Sequence, residues 1–331
     1  MSPTDRKKDH IELALNSQTT SGNLDLYYEP LLSAHPNEST DISCNFLRKD
    51  FKAPIWISSM TGGTEKAKLL NTNLAKVANE FGFGMGLGSC RPLLESYKRK
   101  EDFDLRDTIG EQAFYINLGI AQLEVLLFEN QISKIQAICD DLHADGLIIH
   151  VNPLQEWAQP EGDRFKQAPI ETIKSIVNQL DMKIIVKEVG QGFGPNSLIS
   201  LMKLPIAAID FAGFGGTNFT LLELARHNAQ QNGKTHTNYN LKYIGHTCSE
   251  MINWVNQNIE QSSIKCREFI ISGGVSDTLE GFRLQESLKA KSIIGMASSF
   301  LKHAHDYAQL REFTFSEIEN YKLAKCFLKG K

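Results

Sequence analysis

Disulfide and zinc chemistry have little to work with in this chain. Its 331 residues hold six cysteines, Cys44, Cys90, Cys139, Cys248, Cys266 and Cys326, scattered and with no C-x-x-C pair. They suggest neither a disulfide framework nor a zinc site, and a reducing cytoplasm suits them. No apolar run approaches the length that spans a bilayer. The N-terminus, Met-Ser-Pro-Thr-Asp-Arg-Lys-Lys-Asp-His, is polar and lacks the apolar core of a signal peptide, so a cytoplasmic protein with no membrane contact is expected. A marked excess of charge of one sign is also missing, with 35 Lys and Arg against 39 Asp and Glu. The net charge of -4 gives no electrostatic case for nucleic acid or an anionic membrane. There is no low-complexity segment and no clear internal repeat. What remains is an ordinary globular composition, 41% hydrophobic and 22% charged, long enough for one large barrel or two smaller domains.

Residues 1–50 read as an N-terminal arm and a hairpin-like extension. Arg6, Lys7 and His10 precede a short helical piece at 11–15, and weak strands follow near 24–28 and 42–46. From residue 51 a regular alternation begins. Pro54-Ile-Trp-Ile-Ser-Ser is strand-like, and an amphipathic helix follows with Ala67, Leu70, Leu74, Val77, Ala78 and Phe81 at helical spacing, stopped by Gly82. Further strands are expected at Phe83-Gly-Met-Gly-Leu, Phe114 to Gly119, Gly146 to Val151, Lys183 to Glu188, Ala207 to Phe211, Glu268 to Ser272 and Lys291 to Met296, with helices between. Pro153 ends the fourth strand, placing Gln155 and Glu156 in a loop. Eight strands in regular alternation predict a (β/α)8 TIM barrel over 51–331 rather than a doubly wound open sheet.

The strand ends carry the chemistry, which in such a barrel is built at the carboxyl face. Strand four bears His150 and Asn152, two apart and so on one face by strand pleat, then Gln155 and Glu156. Strand one runs into Met60, Thr61 and Gly62, strand two into Ser89 and Arg91, strand three reaches Asn117, and strand six leads to Thr217. Strands seven and eight end in Gly273-Gly274 and Gly295-Met296-Ala297, where glycines let backbone N–H groups approach a phosphate. Lys187 puts a cation at the mouth, fit to stabilise an anionic reduced ring. Together they describe a site for FMN, with its phosphate at strands seven and eight and its ring near Thr61, Ser89, Asn117 and Lys187.

The motifs Met60-Thr-Gly-Gly-Thr64, His150-x-Asn152-x-x-Gln155-Glu156 and Gln159-Pro-Glu-Gly-Asp-Arg164 resemble those of the type 2, FMN-dependent isopentenyl-diphosphate isomerases. Arg6-Lys7, Val186-Lys-Glu-Val-Gly190 and Ala212-Gly-x-Gly-Gly-Thr-Asn218 extend the likeness over nearly the whole chain. The chain departs from the family pattern at Cys90, where glutamine is usual, and at His246-Thr247-Cys248, where Ile-Pro-Thr is usual. The resemblance implies interconversion of isopentenyl and dimethylallyl diphosphate on reduced FMN, with NADPH as reductant. It implies Gln155, His150 and Lys187 as catalytic residues. Arg6, Lys7, Arg91, His150, Asn152 and Gln155 would bind the substrate, and Glu156 would hold Mg2+. For FMN it implies Met60, Thr61, Gly62, Ser89, Asn117, Lys187, Thr217, Gly273, Gly274, Gly295, Met296 and Ala297. It further implies a homo-oligomer, a tetramer or octamer. An FMN-dependent 2-hydroxy-acid oxidase is the alternative on the same barrel, but its His-Gly-Gly-Arg-type segment is absent.

Overall fold

Eight parallel strands close into one barrel in the computed structural model, which describes residues 13–14, 16–17, 25–58, 65–230 and 239–331. The strands are β1 Ile55–Ile57, β2 Gly84–Gly86, β3 Phe114–Gly119, β4 Gly146–His150, β5 Lys183–Lys187, β6 Ala208–Asp210, β7 Glu268–Ser272 and β8 Lys291–Met296. Each pairs with its neighbours in sequence, and β8 returns to β1 through Ile294–Ile55 and Met296–Ile57. Strands covered by helices outside and packed inside are buried on both faces, which is why they read as unbroken apolar runs.

Pleat sorts their side chains into two cores. Ile57, Met85, Phe114, Ile116, Leu118, Leu147, Ile149, Ile184, Val186, Ile209, Phe269, Ile271 and Ile294 face outward under the helices. Trp56, Tyr115, Ile148, Ile185, Ala208, Ile270 and Ile293 face inward and fill the barrel floor. Two residues further along each of these strands lies the next inward position: Ser58, Asn117, His150, Lys187, Asp210, Ser272 and Gly295. A polar layer thus sits directly above an apolar one, at the carboxyl end of the barrel.

The opposite end is plugged. Cys44–Phe46 and Lys49–Phe51 form an antiparallel hairpin whose Phe46, Leu47 and Phe51 join the floor cluster. Its turn residues Leu47 and Arg48 have φ of 52° and 58°, a turn that ordinarily calls for Asn and Gly. Two anchors hold it: Leu47 N donates to Glu268 Oε2 at 2.7 Å, and Lys183 Nζ donates to Leu47 O at 2.6 Å. Outside the barrel, Leu26–Tyr28 pairs antiparallel with the C-terminal strand Leu328–Gly330.

Two expectations change. Gln155 and Glu156 lie on a short helix, Pro153–Ala158, not in a loop. Proline ends a strand but also suits the first turn of a helix, where its missing N–H costs nothing. Because β4 ends at His150, the pleat argument does not carry on to Asn152, which occupies the position before that helix. A helix at Ile120–Phe128 was also not foreseen, because its nearly all-apolar sequence carries no amphipathic period.

Candidate functional site at the barrel mouth

Register aligns the polar layer around the mouth. Gly119 lies opposite His150, His150 opposite Lys187 and Lys187 opposite Asp210, while Ser272 lies opposite Gly295. Lys187 is buried, and its Nζ donates to Glu188 O. Burial pushes its ammonium below the ordinary range, while Asp210 and then Glu188 hold it up. Asp210, buried beside it, accepts from Ser272 Oγ, and Ser272 Oγ in turn accepts from Ala212 N at 2.9 Å. Glu188 points away into its own loop. Its Oε2 accepts from the backbone N–H of Val189, Gly190, Gln191 and Gly192 at 2.6–3.0 Å; burial raises the carboxyl above its ordinary range, while these donors and Lys187 pull it back.

Beside Lys187 is a cavity of about 210 Å³, walled by Ser58, Gly215, Gly216, Thr217, Gly273, Gly274, Gly295 and Ala297. Gly273 and Gly274 have φ of 88° and 75°, and Gly215 has 121°. A Cβ on Gly273 would stand 2.1 Å from Gly213 N, so only glycine lets the β7 end pass so close to the β6 loop. Ser58 Oγ in this wall is buried with no partner among the described residues. Below the turn, Cys248 Sγ lies 3.1 Å from Ser272 O and 3.2 Å from Gly273 O, and burial pushes its thiol up to about 12. The unusual His246-Thr247-Cys248 segment is therefore accommodated: Thr247 caps the helix Cys248–Asn258 in a capping box with Glu250.

Across the mouth, His150 Nδ1 lies 2.8 Å from Asn117 Oδ1, and Asn117 Nδ2 donates to Leu87 O at 3.0 Å. With the amide nitrogen committed, the amide oxygen must accept. The histidine then carries its hydrogen on Nδ1 and leaves a lone pair on Nε2. Burial, reinforced by Lys187, pushes His150 down to about 3, so the ring is neutral near pH 7. The unfolded chain takes up a proton near the ordinary 6.5, and the folded chain refuses it until about 3. This part of the stability is complete above the first value and is lost as pH falls toward the second, by about 1.4 kcal/mol per pH unit. Between about pH 6.5 and 4.5, His150→Gln should flatten the acid slope of the unfolding free energy by that amount. An unchanged slope in denaturant titrations would show that the ring is not held neutral.

The helix Pro153–Ala158 brings the remaining groups together. Asn152 Nδ2 donates to Gln155 Oε1 at 3.1 Å and to Glu156 Oε1 at 3.0 Å, while Asn152 Oδ1 is buried without a partner among the described residues. Gln155 Nε2 donates to Glu223 Oε1 at 3.3 Å, and Arg226 Nε lies 2.9 Å from Glu223 Oε2. Glu156 is 8% exposed, and its Oε2 accepts from Asp163 N at 2.8 Å. Arg91 Nη1 donates to Asp163 Oδ2 at 3.2 Å. Behind this helix lies a larger, mostly apolar cavity of about 540 Å³, which takes in Leu154 and Phe165 but none of the polar groups of this network.

Among the expected site residues, Lys187, Thr217, Gly273, Gly274, Gly295 and Ala297 share the cavity, and Asn117 and His150 are bonded to each other. Asn152, Gln155 and Glu156 form the second cluster. Ser89 accepts from Arg91 N at 3.4 Å, and the Met296 side chain is buried in the outer core, leaving only its backbone for the mouth. Met60, Thr61, Gly62, Arg6 and Lys7 lie outside the described residues. Ser58, Asp210, Asp163, Gln122 and Glu223 were missed. The first two were findable, since each stands two residues beyond an inward floor residue; the others come from helices and loops after separate strands. Among the described residues, no three His, Cys, Asp or Glu side chains gather as a metal site, and no helix is long and apolar enough to cross a membrane.

No family model matches the chain. It is 34% identical over 311 residues to the isopentenyl-diphosphate delta-isomerase of Rickettsia bellii (strain RML369-C), covering 90% of this chain and 85% of that one. To the protein of the same name from Rickettsia rickettsii (strain Sheila Smith) it is 33% identical over 327 residues, covering 95% and 89%. Among solved structures, the recombinant flavin-binding domain of baker's yeast flavocytochrome b2 superposes with a TM-score of 0.57 at 12% identity, over 91% of this chain and 72% of that one. A mandelate oxidase mutant with a monooxide FMN adduct gives 0.54 at 11%, over 98% and 96%. Likeness at that identity shows the fold alone.

Proposed function

The chain belongs to the isopentenyl-diphosphate delta-isomerase family, and from that premise we propose that its barrel mouth interconverts isopentenyl and dimethylallyl diphosphate with reduced FMN. The observation that carries the reading is Gln155, held between Asn152 and Glu223 in the same mouth as the glycine-walled cavity. The reaction moves no net electrons. One proton adds to the terminal CH2 of an unactivated alkene, leaving a tertiary cation, and another leaves the neighbouring CH2.

The residues fit FMN. Gly273 and Gly274 offer backbone N–H groups to its phosphate, and the unpartnered Ser58 hydroxyl faces the same cavity. When bound, reduced FMN supplies an N5 proton donor and acceptor and an electron-rich ring beside the substrate. Lys187 stabilises the negative charge of that reduced ring. Gln155, a neutral amide and a poor acid, positions the reacting carbons or relays a proton. NADPH is the outside reductant that we assign.

The residues also fit Mg2+. A single carboxylate, substrate diphosphate oxygens and water are what this hard cation takes. Glu156 supplies the carboxylate, and the unpartnered Asn152 Oδ1 is an open acceptor for a metal-bound water. Arg6, Lys7 and Arg91 bind the diphosphate, with arginine offering a forked donor pair. Asn152 and the neutral His150 complete that subsite. The assembly that we assign is a tetramer or octamer.

The test is a single turnover in deuterated water by photoreduced holoprotein with Mg2+. Deuterium should enter the product methyl group with no substrate oxidised. Conversion by oxidised flavin, or none by the reduced form, would remove the assignment. Deleting residues 1–10 removes Arg6, Lys7 and His10. The KM for isopentenyl diphosphate should then rise about tenfold with FMN affinity unchanged. Wild-type kinetics after the deletion would take the arm out of the site.

A further inference from the structure

We propose that Asp163 is a positioning residue that aims Arg91 at the diphosphate, so that the segment Gln159 to Arg164 ties the anion-binding and cation-binding halves of the mouth together. The proposal rests on the diphosphate reading given above.

Arg91 stands on the rim, on the short helix Arg91–Glu95, with about half of its side chain exposed. Such a guanidinium loses rotamer freedom when it binds an anion, and whatever fixes it beforehand lowers that cost. Asp163 Oδ2 does the fixing. It accepts from Arg91 Nη1 at 3.2 Å and from Gln122 Nε2, on the helix after β3, at 3.1 Å. The nearest alternative partner of Arg91, Glu95, is 3.7 Å from its Nε.

Asp163 is itself fixed from the other side. Its backbone N–H donates to Glu156 Oε2 at 2.8 Å, and Arg164 Nη1 next to it donates to Glu156 O at 2.7 Å. The segment runs so close that a Cβ on Gly162 would stand 2.0 Å from Glu156 O. Arg226 pairs with Glu161, tying the same segment to the helix that carries Glu223. One stretch of chain therefore connects the groups after β2, β3, β4 and β6. The Arg91–Asp163 pair is too exposed to matter much to stability, so its effect should be on the site rather than on the fold.

Electrostatics alone predicts the opposite sign. A carboxylate beside a diphosphate repels it, so removing the charge would lower KM. If Asp163 positions Arg91, Asp163→Ala raises KM for isopentenyl diphosphate about tenfold with kcat within about twofold. Asp163→Asn, which keeps an acceptor oxygen, raises it less. In an Arg91→Ala background neither substitution adds anything, because the group being positioned is gone. Flavin retention and melting temperature serve as controls, and if Asp163→Ala does not fold, Asp163→Asn carries the same comparison.

Affinity of the FMN- and Mg2+-loaded protein for inorganic diphosphate, read by calorimetry, should follow the same pattern. That arm needs no turnover, so it judges Asp163 even if the isomerase reading fails. A fall in KM with Asp163→Ala, or effects that simply add to those of Arg91→Ala, would overturn the proposal.

Discussion

Gly273→Ala should yield a protein that no longer retains flavin and melts well below the wild type. Two causes act together. The residue sits at φ 88°, which alanine adopts only with strain. Its new Cβ would also meet Gly213 N at 2.1 Å and Gly213 O at 2.2 Å, and backbone atoms cannot swing aside as a side chain can. The β7 end and the β6 loop must separate, and that opens the wall of the cavity next to Lys187. Backbone strain and overpacking each cost about 1–3 kcal/mol, so a loss of several kcal/mol is expected. Gly274→Ala is the control. It shares the left-handed conformation at φ 75°, but its Cβ meets nothing nearer than 3.3 Å. It should lose about 1–3 kcal/mol from backbone strain alone and keep more of its flavin. Flavin absorbance after gel filtration, with thermal melts of both variants, checks the pair. Equal behaviour of the two would mean that the close approach at Gly273 does not hold the cavity together.

This contrast marks the border of what the sequence made legible. That glycines end β7 and β8 is plain in the chain, and so is the barrel, because strands buried on both faces cannot hide their apolar runs. Which glycine is irreplaceable depends on Gly213, some sixty residues earlier, and no local pattern records that. The polar layer is intermediate. His150, Asn117 and Lys187 stood out as polar residues in apolar strands. Asp210 did not, although it obeys the same two-residue step above an inward Ala208. The hairpin turn at Leu47 and Arg48 was illegible for a different reason. Its left-handed residues are neither Asn nor Gly, and what holds them is Glu268 and Lys183 on distant strands. Asp163 and Glu223 are legible only as contacts. Each sits after a different strand and gains meaning from the residue it holds.

Glu156→Gln should lower kcat/KM for isopentenyl diphosphate by about 10²–10³, the range seen when one preorganised electrostatic contact is removed from an active site. The fold should survive. Glu156 accepts through both oxygens, from Asn152 Nδ2 and from Asp163 N. Glutamine keeps one acceptor for the backbone N–H and turns an NH2 toward Asn152. Asn152 can answer by rotating its amide, which turns its unpartnered Oδ1 to the new NH2 but takes Nδ2 away from Gln155 Oε1. The rearrangement keeps a bond between residues 152 and 156 and gives up the one from Asn152 to Gln155, at a cost of about 1 kcal/mol. What does not survive is the negative charge. A neutral amide cannot attract a divalent cation as a carboxylate does, so the diphosphate would be held by Arg6, Lys7, Arg91, Asn152 and His150 without the cation. Activity should then respond only weakly to Mg2+, while FMN titration gives an unchanged affinity, because the glycine-walled cavity lies on the other side of the mouth. A variant that keeps wild-type activity across the Mg2+ series would take Glu156 out of the site. A variant that loses FMN as well would show instead that the helix Pro153–Ala158 had moved, and Glu156→Asp would then separate charge from shape.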